Sequence, residues 1–315
     1  MINSILQGNK IETLKSIPDN YVNCCITSPP YYGLRNYNAE NQIGLEETPE
    51  MYIEKLLNVF NEVKRILRPD GTLWINIGDS YAGSGQGFGG TQKGKYGGEY
   101  KNVIQKVKGC KPKDLIGIPW MLAFALRDIG YYLRQDIIWH KPNPMPESVI
   151  DRCVKAHEYL FLLSKSPKYY FDNSAIKEPA TTPAHIRDRA NEVSNIEMPG
   201  GGRRYSSGAR EYNKDGLRNK RSVWSVTTES LGVEHFAVYP QKLILPCVLC
   251  ACPENGIILD PFMGSGTTAV VAIKNLRNYI GCELNPDYIK IAEKRIESEK
   301  GLFSFDEPPG ITPPL

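Results

Sequence analysis

The stretch that decides the fold is Leu259-Asp260-Pro261-Phe262-Met263-Gly264-Ser265-Gly266-Thr267-Thr268, in a chain of 315 residues. An apolar strand predicted over 256–260 ends in an acid, and a loop with glycines then leads into a helix predicted over 267–275. Glycines let a backbone approach a ligand closely, and the start of a helix offers free N–H groups. The unit is therefore typical of sites for nucleotide-like ligands. It lacks a Gly-Lys-Ser/Thr run, so a triphosphate-binding P-loop is not predicted.

Outward from this unit, helices and strands alternate along the chain. Apolar periodicity predicts helices over 11–17, 52–67, 115–129, 241–252 and 286–300, and strands over 21–27, 72–77, 133–139, 159–163 and 279–283. Such alternation predicts a doubly wound α/β fold. The expected core is a mostly parallel, seven-stranded Rossmann-like sheet with helices on both faces.

Two segments and the end of the chain depart from this alternation. Residues 81–98 are dense in glycine and are predicted to form a loop. Residues 181–221 are polar and basic, and they are predicted to form an insertion outside the sheet. The proline-rich stretch 308–315 is predicted to be a tail. The expected organisation is 1–180, an insertion at 181–222, then 223–300 and a tail at 301–315.

The overall composition excludes few partners. With 38 Lys and Arg against 35 Asp and Glu, the net charge of +3 neither requires nor excludes nucleic acid. No apolar run reaches the roughly 20 residues of a membrane span, and the start of the chain lacks the pattern of a secretory signal. The 8 cysteines lie mostly in apolar surroundings, which predicts reduced thiols and a cytoplasmic protein.

Three cysteines stand close together and raise the question of a metal site. Cys247, Cys250 and Cys252 would supply part of a zinc site, but no second ligand pair follows at matching spacing. The favoured interpretation is a helix over 241–252 whose buried face carries small apolar side chains. No metal ligand is predicted.

A second candidate site is Thr27-Ser28-Pro29-Pro30-Tyr31, at the end of the strand predicted over 21–27. Two prolines fix the backbone and remove two N–H donors. Carbonyl groups and the Ser28 hydroxyl then face the crevice in which such folds bind ligands. A site rich in acceptors beside an aromatic ring suits an amino group on a flat ring. A rigid turn without a ligand is the alternative.

A further acid stands at the end of the strand that follows the glycine loop. Glu283 lies about twenty residues after that loop, where dinucleotide-binding folds place an acid on a ribose diol. A solvent-exposed strand end is the alternative. The ribose role is favoured because the glycine loop precedes it.

The two sites together resemble the amino-methyltransferases of DNA. That family has an (Asp/Asn/Ser)-Pro-Pro-(Tyr/Phe) catalytic motif and a Phe-x-Gly-x-Gly motif for S-adenosylmethionine, which read here Ser28-Pro29-Pro30-Tyr31 and Phe262-x-Gly264-x-Gly266. The catalytic motif comes first, the insertion next and the cofactor motif last, an order similar to that of the family's beta class. Residues 138–143, residues 157–159 and His235-Phe236-Ala237-x-x-Pro240 also resemble family segments.

The resemblance implies a role for each matching residue. Ser28 and the Pro29 carbonyl would accept hydrogen bonds from the target amine, and Tyr31 would stack on the base, so the catalytic set is Ser28, Pro29, Pro30 and Tyr31. Asn9 stands where family members commonly have an acid, and it would hydrogen-bond the adenine of the cofactor. The whole implied cofactor site consists of Asn9, Thr27, His235, Pro240, Asp260, Phe262, Gly264, Ser265, Gly266, Thr267 and Glu283.

The implied reaction is an in-line transfer of a methyl group from S-adenosylmethionine to the exocyclic amine of a base flipped out of double-stranded DNA. Cytosine N4 is preferred to adenine N6, because a serine before the two prolines is more often associated with cytosine in the family. A cognate restriction endonuclease, a monomer and a homodimer are all compatible with this class. The candidates for DNA contacts are Arg187, Arg189, Arg203, Arg204, Arg210, Arg218 and Arg221.

Other functions are weaker candidates. A carbon-5 cytosine methyltransferase needs a cysteine nucleophile, and Pro246-Cys247 lies in a predicted helix rather than in a catalytic loop. Protein glutamine and RNA amino-methyltransferases share Pro-Pro-Tyr-like motifs, but they usually carry the cofactor motif first. A non-catalytic DNA-binding module is disfavoured because both motifs are intact.

Overall fold

The computed structural model describes residues 1–33, 42–83, 92–93, 99–100, 107, 109–180, 185–187, 210–212, 216–229 and 239–303. The chain divides into two compact units. The larger is Met1–Phe171 with Ser222–Leu315, and the smaller is Asp172–Arg221. The smaller unit overlaps the insertion predicted at 181–222. The predicted boundaries themselves, including those of the tail at 301–315, stay predictions.

One sheet of eight strands forms the centre of the larger unit. The strands are β1 (Ser4–Gln7), β2 (Val22–Thr27), β3 (Leu67–Ile77), β4 (Tyr132–His140), β5 (His157–Ser164), β6 (Val223–Ser225), β7 (Ile257–Asp260) and β8 (Asn278–Glu283). Their order across the sheet is β1-β8-β7-β2-β3-β5-β4-β6. Neighbours are parallel except at β5, which runs antiparallel to both β3 and β4. The prediction of a mostly parallel sheet is confirmed, with eight strands in place of seven.

Two short strands escaped the sequence analysis. β1 has 4 residues and β6 has 3, which is too short for a hydrophobic period to show. Both are edge strands that a longer neighbour holds in place. β1 pairs with β8 from Ser4↔Ile280 to Gln7↔Glu283, and β6 pairs with β4. The first pairing brings the start of the chain beside Glu283.

Helices cover the sheet in two groups. They are α1 (Lys10–Lys15), α2 (Pro49–Ile66), α3 (Ile118–Asp128), α4 (Gln241–Ala251), α5 (Thr267–Lys274) and α6 (Pro286–Phe303). α2 contacts α1 and α3, whereas α5 contacts α4 and α6. This grouping is the one expected of a doubly wound fold, in which helices cover both faces of the sheet.

α2 shows how the sequence selects its own boundaries and buried face. The Thr48 hydroxyl accepts the N–H of Met51, and Pro49 begins the helix, a position where its missing N–H leaves no bond unmade. Tyr52, Leu56 and other apolar residues at helical spacing are buried against the core.

The topology brings both candidate motifs to one edge of the sheet. The carboxyl ends of β2, β3, β4, β7 and β8 lie there, together with the amino end of the antiparallel β5. The chain runs outward in opposite directions from the neighbours β2 and β7, because β3 follows on one side and β8 on the other. Folds of this kind bind ligands in the crevice at such a switch point.

Short pairings make up the remaining described structure. The smaller unit contains a helical turn, Ser174–Ile176, and the antiparallel pairs Glu178–Pro179 with Leu217–Arg218 and His185–Arg187 with Arg210–Tyr212. Gln92–Lys93, in the glycine-rich segment predicted at 81–98, pairs with Glu99–Tyr100 directly after it. Most of that segment lies outside the described residues. No helix in the described ranges is long and apolar enough to cross a membrane.

A pair of truncations on α2 tests this account of the core. Leu56 is 0% exposed and Met51 is 46% exposed on the same helix. Leu56→Ala should lower the free energy of unfolding by about 2–5 kcal/mol, because it removes buried surface and leaves a cavity. Met51→Ala should change it by less than about 0.5 kcal/mol. Urea denaturation followed by circular dichroism measures both, and equal losses would contradict the assigned face.

Candidate active site

A buried carboxylate lies between the two candidate motifs. Asp260, the last residue of β7, is 1% exposed. Its Oδ1 accepts hydrogen bonds from the Thr27 hydroxyl at 2.6 Å and from the Phe262 backbone N–H at 3.0 Å. Its Oδ2 accepts from the Thr268 hydroxyl at 2.5 Å and from the Tyr239 hydroxyl at 3.2 Å. One side chain therefore joins β2, the loop after β7, α5 and the segment before α4.

The electrostatics of this cluster follow from its burial. Burial raises the pKa of Asp260, and the hydrogen bonds from Thr268, Thr27, Phe262 and Tyr239 act against that rise. Burial also raises the pKa of Tyr239 well above its ordinary value, and the charge of Asp260 adds to this effect. Tyr239 is thereby kept neutral, and its hydroxyl lies next to that of Thr268, which donates to Asp260.

Two glycines with positive φ and an arginine of α6 fix the shape of the glycine loop. Gly264 and Gly266 have φ of +52° and +83°, a region that side chains rarely allow. Arg295 of α6 donates to the Ser265 carbonyl at 2.5 Å, to the Ser265 hydroxyl at 2.8 Å and to the Thr267 hydroxyl at 3.3 Å. The buried side chains of Ser265 and Thr267 thus face α6, and their contact with a ligand would come through the backbone.

Glu283 supports the same loop from the next strand. Its Oε2 accepts the Gly264 N–H at 2.9 Å, and its Oε1 accepts the N–H groups of Leu284 and Asn285 at 2.8 and 2.9 Å. A carboxylate offers about four lone-pair positions, so three donors leave one acceptor position for a hydroxyl group. The residue is 8% exposed and lies at the sheet edge, which fits the predicted position of a ribose contact.

The start of α1 contributes two residues beside Glu283. Asn9 caps α1, and its Oδ1 accepts the Ile11 N–H at 3.0 Å, so the predicted contact with a cofactor would fall to its amide nitrogen. Lys10 was missed from the sequence. Its Nζ lies 5.0 Å from the centroid of the Phe262 ring. Burial lowers the pKa of Lys10, and the nearby Glu283 acts to raise it. The β1–β8 pairing, invisible in the sequence, explains why it lies here.

The Ser28-Pro29-Pro30-Tyr31 turn follows directly from the residue that contacts Asp260. The Tyr52 hydroxyl of α2 donates to the Pro30 carbonyl at 2.8 Å. That carbonyl has a partner inside the protein, and the acceptor role of the Pro29 carbonyl stays a prediction. Pro29 is buried, whereas Ser28 and Tyr31 are partly exposed.

Tyr31 carries a polar network that sequence reasoning missed. Its hydroxyl donates to Glu158 Oε2 at 2.5 Å and lies 3.3 Å from Asn76 Oδ1. The Asn76 amide donates to the same Glu158 oxygen at 3.2 Å, and the Lys141 ammonium pairs with the other oxygen. Glu158 and Lys141 stand in the two segments that resemble family segments, but no role followed from the sequence, because β4, β5 and the turn meet only in the folded chain.

Several other predicted residues contribute less or lie elsewhere. Pro240 is buried at the start of α4, next to Tyr239. His235 lies outside the described residues, as do three of the predicted DNA contacts, Arg189, Arg203 and Arg204. The backbones of Arg187 and Arg210 lie in paired short strands of the smaller unit.

The remaining two arginines share one carboxylate. Arg218 and Arg221 each lie 3.0 Å from Glu178 Oε1 within the smaller unit. Burial acts to raise the pKa of Glu178, but the two guanidinium groups outweigh it and lower the pKa. The Arg221 side chain is 67% exposed and that of Arg218 is 22% exposed, so Arg221 is the more accessible to a phosphate.

The cysteines fit the helical interpretation of 241–252. Pro246 and Cys247 lie inside α4, and Cys247 is 0% exposed. A buried thiol within a helix cannot reach a base as a nucleophile. Burial also raises the pKa of Cys24 well above its ordinary value, and a hydrogen bond with Cys252 adds to this effect. Among the described residues, no cluster of three or more His, Cys, Asp or Glu side chains is arranged to hold a metal.

The sequence is similar to known proteins along most of its length. The family described as DNA methylase, of the N6 and N4 type, matches residues 22–294. The type II methyltransferase M.Cfr9I of Citrobacter freundii is 42% identical over 296 residues, which cover 94% of this chain and 88% of that protein. The type II methyltransferase M.SmaI of Serratia marcescens is 42% identical over 292 residues, which cover 93% and 90%.

Solved structures share the fold. The cytosine-N4-specific PvuII DNA methyltransferase superposes with a TM-score of 0.63 at 17% identity, over 96% of this chain and 92% of that one. The M1.HpyAVI–SAM complex superposes with a TM-score of 0.53 at 18% identity, over 93% and 98%. The fold of this chain is therefore one that known methyltransferases adopt.

Two glycines with the same backbone conformation separate steric fit from backbone strain. Gly266 and Gly117 both precede a helix, with φ of +83° and +86°. A Cβ at Gly266 would lie 2.8 Å from the Ala292 Cβ of α6, whereas a Cβ at Gly117 would meet nothing within 4 Å.

Alanine at either glycine should cost about 1–2 kcal/mol of stability through the left-handed backbone. Gly266→Ala should lose about 1–3 kcal/mol more, because α6 must move. Denaturation midpoints of the two variants measure the difference. Equal midpoints would show that the loop and α6 are not closely packed.

Proposed function

Because this chain belongs to the DNA methylase family that matches residues 22–294, we propose that it methylates the N4 amine of cytosine in double-stranded DNA. The methyl donor is S-adenosylmethionine. The chain is then the modification enzyme of a type II restriction–modification pair, since relatives that match most of its length are type II methyltransferases. The same chemistry on adenine N6 is the alternative.

One observation carries the proposal. The hydrogen bond of 2.6 Å between Thr27 and Asp260 ties the last residue of β2 to the last residue of β7. Ser28 and Phe262 follow these two residues by one and two positions. An acceptor-rich turn for an amine and a glycine loop for a nucleotide-like cofactor are thereby fixed side by side, which is what a direct transfer between two ligands needs.

The residues present fit the cofactor. Glu283 retains one acceptor position for a ribose hydroxyl, Asn9 retains an amide donor, and a Cβ at Gly264 would stand in open space except for the Phe262 carbonyl at 3.9 Å, so its absence leaves room beside the loop. S-adenosylmethionine, when bound, supplies an electrophilic methyl group. The loop is shaped before any ligand binds, because Asp260 and Glu283 already hold its N–H groups.

The chain's own residues then prepare the amine. Ser28 and the Pro29 carbonyl accept its two N–H groups, which draws the nitrogen toward a tetrahedral geometry and frees its lone pair for an in-line attack. No covalent bond to the base is needed, in agreement with the burial of Cys247. The base must leave the duplex stack to reach this turn, and Tyr31 provides a ring beside it.

The preference for cytosine rests on Ser28 and on the association of serine with cytosine in this family. The arginines of residues 181–221, Arg221 among them, are proposed to contact DNA. The glycine-rich segment 81–98 is proposed to contact the same DNA. A cognate endonuclease would recognise the same site. The protein acts as a monomer or a homodimer.

Product analysis tests the reaction and the choice of base. Purified protein is incubated with unmethylated DNA and S-adenosylmethionine, and the DNA is digested to nucleosides for mass spectrometry. We expect 4-methylcytosine, and its absence from Ser28→Ala reactions. A 6-methyladenine peak would keep the mechanism but overturn the base choice. If the cofactor binds and DNA stays unmodified, an RNA or protein substrate gains support, whereas failure to bind the cofactor would favour the alternative of a non-catalytic DNA-binding module.

A double substitution tests the DNA-binding proposal. Replacing Arg203 and Arg204 with Ala should weaken DNA binding and reduce its salt dependence, because each lost phosphate contact lowers the slope by about 0.9. Cofactor affinity should not change. Arg68→Ala is the control, since Arg68 stands near the amino end of β3, away from the site edge. Unchanged DNA affinity of the double variant at low salt would refute the assignment.

A further inference from the structure

The geometry points to a function for Glu158 that rests on the proposed methyl transfer. We propose that Glu158, acting through Tyr31, fixes Ser28 as the acceptor of the target amine and takes up the proton that this amine releases. Tyr31 donates to Glu158 Oε2 at 2.5 Å. Burial and the Glu158 charge raise the pKa of Tyr31 well above its ordinary value, and a hydrogen bond from the Ser28 side chain acts to lower it.

The direction of this chain of hydrogen bonds is set at its carboxylate end. An ionised carboxylate can only accept, so Tyr31 must use its one proton toward Glu158. The phenol oxygen is then an acceptor, and the Ser28 hydroxyl is placed to donate to it. A hydrogen bond that lowers the pKa of Tyr31 has this same direction, because it stabilises negative charge on the phenol oxygen.

Ser28 needs such a partner. A serine hydroxyl is both a donor and an acceptor, and its proton can rotate toward the incoming amine, where it would repel the amine's own N–H groups. With the proton committed to Tyr31, the lone pairs of Ser28 face the ligand. The Ser28 hydroxyl then acts only as an acceptor toward the amine, whose two N–H groups are donors.

The same path removes a proton after methyl transfer. When the amine nitrogen forms its bond to the methyl carbon, the donor's carbon–sulfur bond breaks and the nitrogen becomes positively charged. The nitrogen then gives one proton to Ser28, Ser28 gives its own to Tyr31, and Tyr31 gives its own to Glu158. The products are a neutral methylated amine and a neutral Glu158 carboxyl group, so charge and protons balance.

The groups around Glu158 define its charge. The Lys141 ammonium pairs with Oε1, and Lys155 lies close enough for Glu158 to raise its pKa, although burial lowers it overall. Burial lowers the pKa of His157, and Lys155 adds to this effect, so the imidazole is neutral near neutral pH. Asn76 donates to Oε2 from β3. Donors and positive charge from three elements therefore hold the Glu158 carboxylate in place behind Tyr31.

Glu158→Gln separates proton uptake from orientation. The amide keeps the side-chain shape and one acceptor oxygen, but it cannot take up the proton. We expect the single-turnover rate of methyl transfer to fall by about 100-fold, within the range for acid–base groups. Glu299→Gln is the matched control, since Glu299 is also partly buried and pairs with a lysine, Lys274, at 2.8 Å. Its rate should equal that of the wild type.

A pH profile and a double variant distinguish a proton path from structural support. The wild-type rate should fall toward acid pH, and the slow Glu158→Gln rate should stay flat over the same range. Tyr31→Phe interrupts the path at its middle. Because both changes break one path, the double variant should be no slower than the slower single variant. Additive losses or an unchanged acid limb would overturn the proposal.

A third measurement does not depend on activity. With ¹³C-labelled tyrosine, the Tyr31 signal is assigned by its loss in Tyr31→Phe, and its ionisation is followed by NMR. The midpoint should fall in Glu158→Gln, because the carboxylate that raises the Tyr31 pKa is gone. An unmoved midpoint overturns the proposal even if the wild type methylates DNA. If the wild type forms no methylated base, the proposed function is overturned instead. The titration midpoint of Tyr31 then still tests the contact between Tyr31 and Glu158.

Discussion

The buried Asp260 carboxylate is the constraint on which the site depends. An ionised group inside a protein is costly unless donors surround it, and four groups supply those donors here. They come from β2, from the loop after β7, from α5 and from the segment before α4. Each must lie within about 3 Å of one carboxyl group, so these elements cannot shift separately. The position of Ser28, one residue after Thr27, is a consequence of that requirement.

A second carboxylate completes the loop. Asp260 holds the Phe262 N–H and Glu283 holds the Gly264 N–H, so both ends of a three-residue segment are fixed from neighbouring strands. The positive φ of Gly264 and Gly266 lets the chain turn between these anchors and enter α5. The loop therefore has its binding shape as a property of the fold, and a ligand need not supply the free energy to form it.

The sequence was informative where the signal is local. The strand, glycine loop and helix around Asp260, the turn at Ser28 and the amphipathic α2 were all placed from neighbouring residues. The short β1 was not, and Lys10 was missed with it, because its position depends on pairing with β8, some 276 residues along the chain. Glu158 and Tyr239 were missed for the same reason. The Thr27–Asp260 bond spans 233 residues, and no period or motif records a contact of that kind.

The consecutive hydroxyl groups of Thr27 and Ser28 at the end of β2 have different roles. A carboxylate determines the role of each. Thr27 donates its hydroxyl proton to Asp260, so this hydroxyl group has a structural role. In the proposed path Ser28 gives its proton toward Tyr31, which donates onward to Glu158, so the lone pairs of Ser28 remain for a ligand. An aspartate at this position would accept an amine without any such help. It would also place a second negative charge across Tyr31 from Glu158. A serine at the start of the motif and a carboxylate behind its tyrosine are therefore parts of one arrangement, in which the negative charge stands two hydroxyl groups further from the amine.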